Sequence, residues 1–126
     1  MGEIKGRTFD LLTLGQVLLR LSPPDNDRLS RGDTFVKQVG GAELNVAVGA
    51  SLLGLRTGVI SKLPSHDIGS FMKGKIRSFG VSDDFFMYDD SPSARVGIYY
   101  YENGAYPRKP KVIYDRMNSS FFQPQY

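Results

Sequence analysis

The chain has 126 residues, with Lys+Arg 16 against Asp+Glu 13, 40% hydrophobic and 23% charged residues. These proportions suit one buried core and exclude both an array of domains and wholesale disorder. A net charge of +3 from basic residues scattered along the chain names no polyanionic partner. With no cysteine and a single histidine, a disulfide framework, a thiolate metal site and a histidine-rich metal cluster are excluded.

The opening segment has Lys5 and Arg7 ahead of FDLLTLG, but Asp10 interrupts the apolar stretch and no small-residue cleavage site follows. No signal peptide is expected. No apolar run reaches the ~20 residues that cross a bilayer, so no membrane partner is expected either. A cytoplasmic location is compatible with this composition and is the expectation.

Residues 9–14 (FDLLTL) predict a first core strand, prolonged after Gly15 by VLLRL. SPPDNDRLSRGD, residues 22–33, is dense in turn formers and predicts a surface loop, and TFVKQV then predicts a short strand before Gly40 and Gly41. AELNVAVGASLLG predicts a helix with Leu44, Ala47, Val48 and Leu52 on its buried face, ended by Gly54. RTGVISKL predicts a strand closed by Pro64. Asp67 is placed to cap a second helix whose Ile68, Phe71, Met72, Ile76 and Phe79 share one face, and Gly80 stops it. Val81 leads to a strand around FFMY, so residues 56–88 read as strand, crossover helix, strand, the unit of a parallel sheet.

The last third differs in character. ARVGIYYYE, the turn NGAYPRKP and KVIYDR predict a tyrosine-bearing β-hairpin outside that sheet, while NSSFFQPQY predicts nothing. The class is α/β. A sheet of two or three parallel strands leaves apolar faces open, so the expectation is that the chain is incomplete.

Several near-motifs have plainer explanations. GSFMKGKI, from Gly69, has the spacing of a phosphate loop, but Ile76 stands where the metal-binding hydroxyl belongs and the segment lies in a helix pattern. Ser65, His66 and Asp67 are adjacent, whereas triad members meet through folding. The pairs Asp83, Asp84 and Asp89, Asp90 read as solvated charges at strand ends, so no metal is expected. PRKPKVIYDR with the upstream tyrosines offers a basic aromatic surface, but no continuous basic stripe or nucleic-acid module supports it, so no nucleic acid is expected.

Gly40 and Gly41 carry more. Glycines between a strand and the first turn of a helix let a ligand approach free backbone amides at the positive end of the helix dipole. Asn45 would face the same pocket, with an amide able both to donate to and accept from a polyol hydroxyl. Tight packing of helix on strand is the alternative explanation of the glycines.

GGAELNVAVGASLLG, followed by GVISKLPSHDIGSFMKGKIRSFGV, resembles the amino-terminal part of a PfkB-type (ribokinase-like) carbohydrate kinase. RVGIYYYENGAYPRKPKVIYDR resembles the lid of the 2-keto-3-deoxygluconate kinases in that family. The resemblance implies a partial ribokinase-like parallel sheet with flanking helices plus a β-strand lid. Residues 1–126 would form one amino-terminal part, with its core at about 8–15 and 42–90 and its lid at about 16–39 and 94–117. It also implies that Gly41 and Asn45 meet sugar hydroxyls, that Tyr99 and Tyr114 line the sugar's length, and that Arg116 meets its carboxylate. Three departures stand out: Glu43 where many relatives have a small residue, Pro64 for a glycine, and Gln16 where this branch often has glutamate.

The family's glycine-rich GAGD-type segment, with the catalytic base and the ATP pocket, is not found in this sequence. The expectation is therefore an ATP- and Mg-dependent sugar-acid kinase in intact form. This chain would carry the sugar-binding and lid part, hold no ATP or Mg alone, assemble as a homo-oligomer through the lid, and lack turnover by itself. The alternative is a non-catalytic binding or dimerisation module.

Overall fold

The computed structural model describes residues 3–4, 7–104 and 107–122. In chain order the elements are β1 (Glu3–Ile4), β2 (Arg7–Thr8), β3 (Leu11–Leu14), β4 (Leu18–Ser22), a 3-10 turn (Pro24–Asn26), β5 (Val36–Gly40), α1 (Ala42–Leu52), β6 (Thr57–Pro64), α2 (Asp67–Ser78), β7 (Val81–Ser82), β8 (Phe86–Asp89), β9 (Gly97–Glu102), β10 (Lys111–Asp115) and a second 3-10 turn (Ser120–Phe122).

A parallel sheet is built around β6. Strand β3 lies along it with Leu11 opposite Thr57, β7 pairs with its first two residues, and β8 pairs with its last four. Thr57, Val59, Ser61 and Leu63 alternate along β6 and are all 2% exposed or less. Val59 and Leu63 cluster with Leu44 and Ala47 of α1 and with Met72 and Ile76 of α2. Thr57 is polar yet buried because its hydroxyl donates to the Ala47 carbonyl at 3.1 Å, which ties β6 to α1.

Several expectations are corrected. Leu52, the last residue of α1, is 80% exposed rather than part of its buried face, which holds Leu44 and Ala47. On α2, Met72 and Ile76 are sealed while Ile68 and Phe79, at its two ends, are 41% and 38% exposed. His66, in an extended conformation, holds the N-cap position of α2, and Asp67 is already helical with no side-chain cap bond. Gly69 lies inside α2 with its Cα facing the Pro64 carbonyl, where a Cβ would collide, so the phosphate-loop spacing reflects close packing of α2 on the end of β6.

The second large sheet runs in the order β10-β9-β4-β5. The expected hairpin is present as antiparallel β9 and β10, and β9 also joins β4 in parallel. Ala105 and Tyr106 of the expected turn lie outside the described residues. One face of this outer sheet, with Leu19, Leu21, Val39 and Ile98, packs against the core cluster. The register aligns Gln38, Arg20, Tyr99 and Tyr114 in one row across the four strands. Since side chains alternate along a strand, this row belongs to the opposite face.

A junction joins the sheets, and the tail residues close it. Ser119 and Ser120 are 1% and 0% exposed. The Ser120 hydroxyl donates to Asp89 at 2.8 Å, and Ser91 N–H donates to the same carboxylate at 3.0 Å. Hydrogen bonds from Ser91, side chain first and then backbone, and from the Ser120 hydroxyl hold the Asp89 carboxyl below its ordinary range against the opposing effect of burial. Asp89 is therefore a buried acceptor and not a solvated strand-end charge.

Candidate functional site

Gly41 is the N-cap of α1 with φ 121°, a conformation that L side chains rarely adopt, and a Cβ there would come within 2.6 Å of the Gln16 carbonyl. The chain can enter α1 in this way only with glycine at 41. Gly40, its neighbour at the end of β5, is overlain by the Tyr99 hydroxyl, which occupies the space a side chain would need. The glycine doublet thus serves both close packing and an open helix amino terminus.

That amino terminus borders a cleft of about 520 Å³. Its walls include Gly15 and Gln16 from the link between β3 and β4, Gly41 and Glu43 from the start of α1, Arg116 just past β10, and Phe122 from the tail. Gly41 and Arg116, 75 positions apart in sequence, therefore open onto one space.

The other expected site residues are distributed around this cleft. Tyr99 and Tyr114 are directly opposite in the β9–β10 register, with ring centroids 6.0 Å apart and planes inclined by 35°. The Arg116 guanidinium lies 5.2 Å from the Tyr114 ring centroid. Neither tyrosine lines the cleft wall itself; they form a track that runs from Gly40 through Tyr99 and Tyr114 to Arg116. Asn45 is exposed on α1, its N–H donating to the Gly41 carbonyl at 2.9 Å, and it is not among the cleft-lining residues. Of the adjacent tyrosines, Tyr100 packs on Phe35 and Tyr101 lies beside the Arg20 guanidinium.

Sequence reasoning missed Gly15, Gln16, Glu43 and the Phe121–Phe122 pair as cleft walls. The Gln16 amide donates to Ser119 Oγ at 2.7 Å, and the Glu43 side chain fills the space beside Gly15. Gln16 and Glu43 were visible only as departures from a family pattern. The phenylalanines carry no periodicity that could have marked them.

Chemically, the cleft combines free amides at a helix start, a neutral amide, one carboxylate and one guanidinium. Among the described residues Arg116 has no ion-pair partner, and no group of three His, Cys, Asp or Glu side chains could hold a metal. A site of this composition suits an oxygen-rich molecule with one anionic end.

A parallel sheet with flanking helices and a separate β-sheet bordering a cleft at a helix start is the architecture of the ribokinase-like kinases. The sequence matches the pfkB family carbohydrate kinase over residues 8–125, and the chain belongs to that family. It is 40% identical over 113 residues to a 2-dehydro-3-deoxygalactonokinase of Haloferax volcanii, covering 90% of this chain and 35% of that protein. A 5-dehydro-2-deoxygluconokinase of Bacillus licheniformis is 34% identical over 97 residues, covering 76% of this chain and 30% of that protein. The crystal structure of a 2-dehydro-3-deoxygluconokinase from Thermotoga maritima superposes with a TM-score of 0.85 at 39% identity, covering 91% of this chain and 34% of that one. The chain thus spans about a third of the length of these relatives.

Proposed function

We propose that this chain is the sugar-binding part of a kinase that phosphorylates 2-keto-3-deoxygluconate or a related sugar acid with ATP. The observation that carries this reading is the shared cleft: Gly41 at the helix start and Arg116 both line one space sized for a small polyol acid. Gly41 would offer backbone to sugar hydroxyls, with Asn45 one turn further along α1. Tyr99 and Tyr114 would lie along the sugar as rigid rings bearing hydroxyls. Arg116 would grip the carboxylate through two parallel charge-assisted hydrogen bonds.

ATP and Mg would be held by the two thirds of the relatives that this chain does not span, which would also supply the catalytic base. Phosphoryl transfer depends mainly on positioning and charge stabilisation around the nucleotide, so the role of this chain is to bind and orient the acceptor. An ATP-using enzyme of this kind belongs in the cytoplasm, and among the described residues no helix is long and apolar enough to cross a membrane.

The test is calorimetric titration of Arg116→Ala with 2-keto-3-deoxygluconate and with its uncharged C1 amide. Loss of one charge-assisted carboxylate pair should weaken the acid by about tenfold or more and the amide by less than about twofold. Equal losses for both would overturn the carboxylate assignment. A second reading, a dimerisation module acting through the outer sheet, is favoured by the 42%, 50% and 61% exposure of Val112, Ile113 and Tyr114 on β10. It is compatible with the kinase reading, and sedimentation that shows a monomer at all concentrations would remove it.

A further inference from the structure

The outer sheet's ladder ends just before the residue that matters most to the proposed site. Strand β10 pairs with β9 as far as Asp115, opposite Ile98, and Arg116 is the first residue beyond. A strand end of this kind frays unless its carbonyls find other donors. Here the carbonyls of both residues that flank Arg116 accept from one side chain. Arg95 Nη1 donates to Met117 O at 2.6 Å, and Arg95 Nη2 donates to Asp115 O at 3.1 Å.

Arg95 also removes a competitor. Its Nη2 lies 3.0 Å from the Asp115 carboxylate, the anion nearest to Arg116 in sequence. With Asp115 engaged, Arg116 is left without an ion pair among the described residues and rests on the Tyr114 ring.

The backbone of Arg95 is itself fixed. Ser120 N–H donates to the Arg95 carbonyl at 2.8 Å, and Arg95 N–H donates to Ser120 Oγ at 3.0 Å. Ser120 Oγ in turn donates to Asp89 at the end of β8. A continuous path of hydrogen bonds therefore runs from the parallel sheet through Ser120 and Arg95 to the carbonyls of Asp115 and Met117, the residues on either side of Arg116.

We infer that Arg95 is a positioning residue for anion recognition: it clamps the backbone around Arg116 and occupies Asp115, so that the Arg116 side chain stays at the cleft wall with no ion pair among the described residues. The inference rests on the sugar-acid reading above and adds to it a residue that touches no ligand.

A double-mutant cycle tests it, with 2-keto-3-deoxygluconate and its C1 amide titrated into the unaltered chain, Arg95→Ala, Arg95→Lys, Arg116→Ala and the double variant, each checked for fold by circular dichroism. Arg95→Ala should weaken the acid by about tenfold and the amide by less than about twofold, since a small loss of alignment is felt most by a bidentate pair. Arg95→Lys keeps the charge but not the fork, so it should lose about threefold for the acid alone. In the Arg116→Ala background, adding Arg95→Ala should change nothing further.

Equal losses for acid and amide, or a further loss of acid affinity in the Arg116→Ala background, would overturn the positioning role while leaving the sugar-acid reading intact. If Arg116→Ala leaves acid affinity unchanged, or the unaltered chain binds no acid, the sugar-acid reading itself fails and this inference fails with it. Should Arg95→Ala not fold, Arg95→Lys decides alone by the same selectivity.

Discussion

The parallel sheet and the outer sheet use their strands in opposite ways. Along β6 six of eight residues are buried, whereas all five residues of β10 are exposed. In the first, the central strand is covered by α1 and α2, whose Leu44, Ala47, Met72 and Ile76 cluster with Val59 and Leu63. In the second, one face of β4, β5 and β9 supports the core, and the edge strand β10 carries exposed residues, Tyr114 among them. Apolar burial holds the first sheet and the inner face of the second, which also relies on its ladder and on the polar junction around Ser120.

Three substitutions would break or sharpen this contrast. Met72→Ala should have the largest effect, because Met72 is 0% exposed among Val59, Leu63 and Ile76. A loss of about 2–5 kcal/mol in denaturant unfolding is expected. A loss below about 1 kcal/mol would mean that the parallel sheet is not the stable half.

The junction comes next. Asp89→Asn keeps the shape but removes the charge that accepts from Ser91 and Ser120, at an expected cost of about 1–3 kcal/mol at neutral pH. Because the folded-state carboxyl titrates below its unfolded value, its stabilisation is fully present above about pH 4 and fades as pH falls through the lowered folded value. The stability difference between the native chain and Asp89→Asn should therefore shrink only below about pH 4. A difference that instead changed between pH 5 and 8 would assign the titration to another group.

The smallest effect is expected on β10. Ile113 is 50% exposed, and Ile113→Ser should cost under about 1 kcal/mol in a monomer. A much larger and concentration-dependent loss would show that a second copy covers this strand, joining the outer sheet to an interface after all.

Legibility followed the same division. The β6–α2–β7 crossover and both helices could be read from apolar spacing, because burial against a sheet imposes that spacing directly. The exposure of Leu52 could not, since a helical face says which residues point one way but not how far the neighbouring sheet extends. Asp89 was misjudged for a related reason: two adjacent aspartates at a strand end are usually solvated, and only the return of Ser120 from 31 residues downstream buries one of them. Gly41 was found from its position between strand and helix. Gln16 was marked only by its departure from a family pattern, and the Phe121–Phe122 pair reached the cleft with no local signal.

By itself the sequence determined the strand and helix order, the glycine entry into α1 and the family, since each of these follows from local backbone freedom, from hydrophobic periodicity or from matching motifs. Only the tertiary structure decided that Gly41 and Arg116 share a cleft and that Arg95 holds the backbone beside Arg116. These contacts join residues from separate crossings between the two sheets, and their geometry depends on how the sheets pack, which no local pattern records.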